Sequence, residues 1–172
     1  AGAAVLVCTA ETAADASAAA TRAGIRPPLV LPATGGAALA PRETHSPGDV
    51  HSIIYTSGTT GRPKGAALTY GNYWASAAGS AFNIGVNPGD RWLACMPLFH
   101  VGGLSILLRS VIYGTTAVIH ERFDEAAVNR ALRDDGVSLL SVVPTMLERM
   151  LLADDRPFPP SVRCVLVGGG PV

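Results

Sequence analysis

Short apolar runs alternate with longer amphipathic stretches along the second half of the chain. The short runs predict strands at 91–96, 116–120, 138–143 and 163–167. The stretches between them predict helices at 102–113, which we expect to be largely buried, at 125–134, and from Pro144 onward. Strands that alternate with helices favour parallel pairing through right-handed crossovers. The pattern therefore predicts an α/β fold of layered sheets flanked by helices.

Local signals at the helix ends support this assignment. Asp124 can cap the 125–134 helix, Phe123 and Val128 have the spacing of a hydrophobic staple, and Gly136 can end it. Upstream, Thr69 is a suitable N-cap for a helix over 70–83 that follows strands at 51–56 and 66–68. Three aromatic residues of that helix are interpreted as packing residues, with the alternative that one face lines a ligand pocket: Tyr73, Trp74 and Phe82.

The first third of the chain has a different organisation. It predicts a strand at 3–9, an alanine-rich helix at 11–23 ended by Gly24, and a short strand at 29–31. Residues 32–48 are rich in proline and glycine and are typical of a connector. We therefore expect a partial α/β segment with its connector at 1–48 and a core at 49–172, both belonging to one truncated domain.

Composition excludes several classes of protein. Of its 172 residues, 48% are apolar and 15% are charged. This composition argues against a disordered chain and supplies enough apolar residues for a hydrophobic core. Thirteen basic residues balance thirteen acidic ones, which argues against a nucleic-acid partner. Every apolar stretch is interrupted before it reaches the length of a membrane span, and the first ten residues lack the positive charge of a signal peptide.

The three cysteines, Cys8, Cys95 and Cys164, are far apart and lie in apolar, strand-like runs. Neither C-x-x-C nor H-E-x-x-H occurs, so no metal site is predicted. We expect three buried, reduced thiols and a cytoplasmic protein.

The segment TSGTTGRPKG at 56–65 has the composition of a phosphate-binding loop. Its glycines free the backbone to turn N–H groups toward an anion, its four hydroxyls add donors, and Arg62 and Lys64 add positive charge. No acidic residue occurs between His51 and Gly89. The spacing differs from a Walker A loop, because Lys64 precedes a glycine. The alternative is a polar, glycine-rich turn between two strands.

The longer string YTSGTTGRPKG closely resembles the phosphate-binding signature of the adenylate-forming enzymes, which include acyl-CoA synthetases, peptide-synthetase adenylation domains and luciferases. This resemblance implies the large N-terminal domain of that superfamily. It also implies that the β- and γ-phosphates of ATP are held by Thr56, Ser57, Gly58, Thr59, Thr60, Gly61 and Lys64. Lys64 would steady the charge of the departing pyrophosphate, while Arg62 receives no role.

Two further motifs extend the resemblance over nearly the whole chain. PLFH at 97–100 resembles the element that borders the acyl pocket, and GGGP resembles the segment whose backbone lies along the adenine, which implies roles for Gly168, Gly169, Gly170 and Pro171. The segments TYGNYWASAAGSAFNIGV, PLFHVGGLSILLRSVIYG and RCVLVGGGP most resemble the o-succinylbenzoate–CoA ligases of menaquinone biosynthesis.

Two polar side chains are candidates for contact with substrate. His100 follows a strand, and open α/β sheets bind ligands at that end, so we interpret it as a catalytic pocket residue, with a structural histidine as the alternative. Arg109 lies in an apolar run and needs an anion, which is either a protein carboxylate or a substrate carboxylate. The other histidines, with nothing converging on them, are interpreted as surface or strand-edge residues: His45, His51 and His120.

The implied activity is that of an ATP-dependent acid–CoA ligase, with ATP, Mg²⁺, CoA and a small carboxylic acid as its partners. A fatty or aryl acid is the alternative substrate, and a non-catalytic nucleotide-binding or assembly module is the alternative function. The Mg²⁺ ligand, the ribose-binding Asp and the lysine of the C-terminal domain would all lie beyond Val172. We therefore expect the chain alone to be inactive, and its apolar sheet edges to favour a homo-oligomer.

Overall fold

The computed structural model describes residues 5–31, 43–57 and 63–170. It divides into two compact units, Ala1–Glu43 and Thr44–Val172. In the first unit, strand β1 (Val7–Thr9) pairs in parallel with β2 (Leu29–Leu31). Between them lie a 3-10 turn (Ala10–Thr12) and helix α1 (Ala13–Ala23), which ends at Gly24. The two predicted strands and the helix are confirmed, while residues 3 and 4 and most of the predicted connector lie outside the described residues.

The second unit opens with an antiparallel hairpin. Strand β3 (Val50–Thr56) pairs with β4 (Lys64–Thr69), so that Thr56 lies opposite Lys64. Helix α2 (Tyr70–Ile84) follows at once. The Thr69 hydroxyl accepts a hydrogen bond from the Asn72 N–H at 3.1 Å, and the Asn72 side chain accepts one from the Thr69 N–H at 2.9 Å. This capping box confirms Thr69 as the N-cap.

A four-stranded parallel sheet forms the centre of the second unit, in the order β6-β5-β7-β8. Its elements follow one another along the chain as β5 (Arg91–Ala94), α3 (Val101–Tyr113), β6 (Thr116–Ile119), α4 (Glu125–Asp134), β7 (Leu139–Val142), α5 (Pro144–Ala153) and β8 (Cys164–Val167). The predicted α/β class is confirmed. Asp124 caps α4 by accepting from the Ala127 N–H at 2.8 Å, as predicted.

Helices cover both faces of this sheet because its strands alternate their side chains. On β5 and just after it, Leu93 and Cys95 pack with α4 and α5, whereas Trp92 and Ala94 pack with Ile106 of α3. The side chains of Trp92 and Leu93 are both fully buried. A strand buried on both faces reads as a continuous apolar run, which is what RWLACM shows.

The amino ends of β5, β7 and β8 are tied together by one carboxylate. Asp90 is 3% exposed and accepts hydrogen bonds from Arg163 Nε and Ser138 Oγ, both at 2.8 Å, and from the Asn87 N–H at 3.0 Å. The hydrogen-bonded Arg163 guanidinium is the main cause that lowers the pKa of Asp90 to about 2. This network is absent from the sequence-based predictions, because its members are far apart along the chain.

Three burial predictions hold only in part. Helix α3 is buried on one face only, and its Val111 is 80% exposed. On α2, Tyr73 is buried as predicted, but Trp74 is 64% exposed and Phe82 is 90% exposed. All three cysteines are free thiols, yet only Cys95 is buried, whereas Cys8 and Cys164 are half-buried. A run of apolar residues in the sequence does not indicate how many faces of a helix or strand are covered by other elements of the fold.

Candidate active site

The strand order creates a crevice at the carboxyl ends of β5 and β7. These strands are neighbours in the sheet although β6 lies between them in sequence. After β5 the chain enters α3, which packs on one face, and after β7 it enters α5, which packs on the other. The connections diverge there, and open α/β sheets bind ligands at such a point.

A cavity of ≈ 720 Å³ occupies this crevice. It is lined mainly by apolar side chains: Met96, Pro97, Val101, Val142, Val143, Met146, Leu166 and Val167. The polar lining comes from Ser76, His100, Ser105, Arg109 and Ser141, and the remaining backbone from Gly102, Gly168 and Gly169. The cavity therefore suits a largely apolar ligand with a small number of polar or charged groups.

His100 is placed at the rim of this cavity by the start of α3. It is the N-cap residue of that helix, and its backbone N–H donates to the Pro97 carbonyl at 3.2 Å. Its exposed imidazole lies 4.5 Å from the Phe99 ring, centroid to centroid. A Cβ at Gly103 would collide with the Pro97 carbonyl oxygen, so glycine permits this close approach of helix and loop. The predicted position of His100 beyond a strand's carboxyl end is confirmed.

Arg109 projects from the middle of α3 into the same cavity. Its Nη2 donates to Ser76 Oγ at 2.9 Å, and its guanidinium carbon lies 5.5 Å from the centre of the Trp92 ring. Its Nε is buried and has no hydrogen-bond partner among the described residues. No carboxylate in the described ranges forms a salt bridge with it. The alternative in which a protein carboxylate pairs with Arg109 is therefore not seen within the described ranges.

Three residues around Arg109 were missed by sequence reasoning. Trp92 is fully buried, and its Nε1–H donates to Ser141 Oγ at 3.0 Å. Ser76 reaches Arg109 from α2. The continuous apolar run in RWLACM could have indicated that Trp92 is buried, but only the pairing of β5 with β7 brings Ser141 beside it.

The candidate phosphate-binding residues lie elsewhere in the unit. Thr56 and Lys64 face each other at the loop end of the β3–β4 hairpin, where the Thr56 hydroxyl donates to the Lys64 carbonyl at 3.4 Å. Both are exposed, as is Ser57, and none of the three lines the cavity. Four of the remaining candidates lie outside the described residues: Gly58, Thr59, Thr60 and Gly61.

The candidate adenine segment does reach the cavity. Gly168 and Gly169 follow β8 directly and line the cavity beside Val143. Gly169 has φ +79, a conformation that strongly favours glycine, and a Cβ there would lie 3.2 Å from Val143 Cγ1. Gly170 follows in the same bend, and Pro171 lies outside the described residues. The structure thus brings together His100, Arg109, Gly168 and Gly169.

The prediction that nothing converges on His45 and His51 is wrong. The His45 ring stacks on Tyr70 with centroids 4.2 Å apart, and the His51 ring meets Tyr70 edge-on at 4.9 Å and Tyr73 at 5.0 Å. Both histidines line a separate cavity of ≈ 380 Å³ against α2 and α3. His120, in contrast, directly follows β6, the edge strand, as predicted.

Neither a metal centre nor a membrane span is found in the described part of the chain. Within residues 5–31, 43–57 and 63–170, no three His, Cys, Asp or Glu side chains are grouped to hold a metal ion. Over the same ranges, no helix has the length and apolar character that crossing a bilayer requires.

Comparison with known proteins decides the family. The model of the AMP-binding enzyme family matches residues 1–172, the whole chain. The chain belongs to the AMP-binding enzyme family. A curated member of this family, the 2-succinylbenzoate–CoA ligase of Bacillus cereus, is 50% identical over 131 residues, which are 76% of this chain and 27% of the relative.

Solved structures of AMP-binding enzymes agree with the fold. The o-succinylbenzoate coenzyme A synthetase of Bacillus subtilis in complex with ATP and a magnesium ion matches with a TM-score of 0.88 and 36% identity. That match covers 99% of this chain and 35% of the synthetase. Its complex with the acyl-adenylate intermediate matches at TM-score 0.70 and 46% identity, covering 74% of this chain and 33% of that one. The chain therefore spans about a third or less of the length of these relatives.

Proposed function

We propose that the chain contributes the acid-binding cavity and the phosphate loop of an ATP-dependent acid–CoA ligase whose acid is o-succinylbenzoate. The observation that carries the proposal is Arg109 in the cavity of ≈ 720 Å³, with an apolar lining around it and no protein carboxylate of the described residues paired with it. o-Succinylbenzoate has an aromatic ring and two carboxylates. One carboxylate can react while the other binds the guanidinium.

The chemistry proceeds in two steps. A carboxylate oxygen of the acid attacks the α-phosphorus of ATP, and the bond to the β,γ-pyrophosphate breaks. The CoA sulfur then attacks the acyl carbon, and AMP leaves with the electron pair of the acyl–oxygen bond. Both steps need positioned donors against developing negative charge rather than a covalent enzyme intermediate.

Each candidate residue has a role in this scheme. His100, at the cavity rim, faces the reacting carboxylate or the adenylate carbonyl. The backbone of Gly168, Gly169, Gly170 and Pro171 borders the adenine. Lys64 and the hydroxyls and amides of the glycine-rich loop bind the β- and γ-phosphates, which requires the hairpin end and the cavity to face one nucleotide.

The proposed reaction uses Mg²⁺ and CoA, but we assign no residue of this chain to the binding of either. The described residues that line the cavity include no carboxylate, and oxygen ligands of that kind are what Mg²⁺ takes from a protein. A relative bound ATP with a magnesium ion, which supports the same requirement in this protein. A cytoplasmic location and self-association into a homo-oligomer remain predictions.

ATP–pyrophosphate exchange in the full-length protein tests the acid assignment. We expect o-succinylbenzoate to support exchange at least about a hundredfold faster than benzoate or a medium-chain fatty acid, because a site built to pair with a second carboxylate leaves Arg109 unpaired when that group is missing. Faster exchange with a fatty or simple aryl acid would show that this acid, and not o-succinylbenzoate, is the substrate. ATP binding without exchange for any acid would indicate a non-catalytic nucleotide-binding module.

Replacing Lys64 with alanine tests the phosphate loop. In the full-length protein, Lys64→Ala should lower kcat/KM for ATP roughly ten- to a hundredfold, since a hydrogen bond to a charged group contributes about 1.5–3 kcal/mol. The affinity for the acid should stay within about twofold. Arg22→Ala, a cation on α1, is the matched control. Unaltered ATP kinetics in Lys64→Ala would remove this residue from the site.

A further inference from the structure

We infer that Trp92 is a positioning residue of the acid site: it holds the Arg109 guanidinium in the orientation that receives the second carboxylate of the acid. The inference rests on the proposed function, because it requires an acid with two carboxylates. It adds to the site a buried residue that is not among the described residues lining the cavity and belongs to no motif of the sequence.

Among the described residues, Arg109 is held at two points and forms no ion pair. Ser76 Oγ accepts from Nη2 at 2.9 Å, and the face of Trp92 lies beneath the guanidinium, 5.5 Å from its carbon to the ring centre. An arginine side chain has several rotatable bonds, so a free guanidinium would sample many positions. The hydroxyl and the ring together restrict it to one side of the cavity.

Trp92 can act as such a support because it is itself immobilised. Its side chain is fully buried and packs with Ala94, Ile106 and Leu139. Its Nε1–H donates to Ser141 Oγ at 3.0 Å, which sets the rotation of the indole. Since Ser141 lies on β7 and Arg109 on α3, the indole connects the sheet to the helix that carries the charge.

The guanidinium keeps donors free for a ligand. Of its five N–H groups, the one that points at Ser76 is the one with a partner among the described residues, and the buried Nε has none. Leaving a buried donor unsatisfied costs free energy, so the arrangement is unfavourable unless an acceptor enters the cavity. A carboxylate matches the planar fork of an arginine with two parallel hydrogen bonds.

The test measures dissociation constants of three acids for the full-length protein. o-Succinylbenzoate carries both carboxylates, 3-benzoylpropionate lacks the ring carboxylate, and 2-butanoylbenzoate lacks the succinyl carboxylate. Arg109→Met should weaken the diacid and one of the two analogues, and that analogue identifies the carboxylate that Arg109 binds. Trp92→Leu should weaken the same two acids roughly two- to thirtyfold, the range of a cation–π contact, and leave the third acid and ATP unchanged.

Milder variants keep the test valid if Trp92→Leu does not fold. Trp92→Phe retains an aromatic face and should show a smaller loss with the same pattern. Ser141→Ala removes the acceptor of the indole N–H, and Ser76→Ala removes the hydroxyl that accepts from Nη2 of Arg109. Both variants should weaken binding of the same two acids as Trp92→Leu does. Ser110→Ala is the matched control, because this serine is next to Arg109 on α3, and its Oγ has no partner in the described structure.

A double variant separates positioning from general stability. If Trp92 acts through Arg109, adding Trp92→Phe to Arg109→Met should change none of the three dissociation constants further. Equal weakening of all three acids in Trp92→Phe, or wild-type dissociation constants for all three acids in that variant and in Ser141→Ala, would overturn the inference while Arg109 keeps its role. If Arg109→Met itself discriminates none of the acids, the acid assignment of the proposed function fails first, and the inference with it.

Discussion

Replacing Arg109 with methionine is expected to lower kcat/KM for o-succinylbenzoate roughly 30- to 150-fold in the full-length protein, because a charged hydrogen-bond donor to the second carboxylate contributes about 2–3 kcal/mol. Methionine keeps an unbranched apolar stem that can pack against Trp92, so the cavity should retain its shape. KM for ATP should stay within about twofold. Steady-state AMP formation with each substrate varied in turn measures both parameters.

Two variants sharpen the Arg109 experiment. Arg109→Lys keeps the charge without the planar fork and should recover only part of the lost activity. Arg130→Met changes an exposed arginine on α4, outside the candidate active site, and should leave kcat/KM unaltered. A loss in Arg109→Met that is equally large for an acid that carries only the reacting carboxylate would show that Arg109 does not recognise the second carboxylate.

Asp90→Asn should reduce the free energy of unfolding by about 3 kcal/mol, the lower end of the cost of breaking a buried ion pair by removing one partner. The carboxylate is 3% exposed, and its partner Arg163 also donates to the carbonyl oxygens of Ile84 and Gly85, so the guanidinium would keep its place with its charge uncompensated. Urea-induced unfolding followed by tryptophan fluorescence measures the change, since Trp92 is fully buried in the same sheet. Asp135→Asn makes the same change at an exposed position and should stay within about 0.5 kcal/mol of the wild type.

The stabilising effect of Asp90 depends on pH in a defined direction. Its pKa falls from 3.8 to about 2 in the folded protein, chiefly because of the hydrogen bond from Arg163. A carboxyl with a lowered pKa stabilises the fold fully above its unfolded value and loses that contribution as pH falls through the folded value. The stability difference between wild type and Asp90→Asn should therefore be constant from pH 7 to about pH 4 and narrow toward pH 2. A difference that stayed constant over the whole range would show that the charge of Asp90 contributes nothing.

Local chemistry explains which predictions from sequence are confirmed. Asp124 caps α4 and Thr69 caps α2 because a short polar side chain satisfies the nearest free N–H groups, an interaction within four residues. The strands of the main sheet were found within two residues of their ends, since apolar runs of that length bounded by turns are typical of buried parallel strands. The position of His100 beyond β5 followed from the same local pattern.

Burial and partners were predicted less well, because they depend on what the rest of the chain covers. Trp74 and Tyr73 are adjacent aromatic residues on one helix, yet Tyr73 is 7% exposed and Trp74 is 64% exposed. His45 and Tyr70 are separated by 25 positions and stack only because the turn before β3 returns to the start of α2. Nothing in the sequence around His45 or His51 indicates that their rings contact tyrosines of α2.

The sequence by itself determined the class of fold, the helix and strand ends of the main sheet, and the motifs that resemble those of adenylate-forming enzymes, because each depends on residues close together in the chain. Only the tertiary structure decided that, of the described residues, Ser76 and Trp92 hold Arg109 and no carboxylate does, and that Asp90, Ser138 and Arg163 form one network. These contacts join residues 17 to 73 positions apart, as Arg109 with Trp92 and Arg163 with Asp90 show. The contacts of Arg109 exist because α3 packs against α2 and β5. The Asp90 network exists because the strand order β6-β5-β7-β8 brings the amino ends of β5, β7 and β8 together, an order that pairing across the sheet sets and that no local pattern encodes.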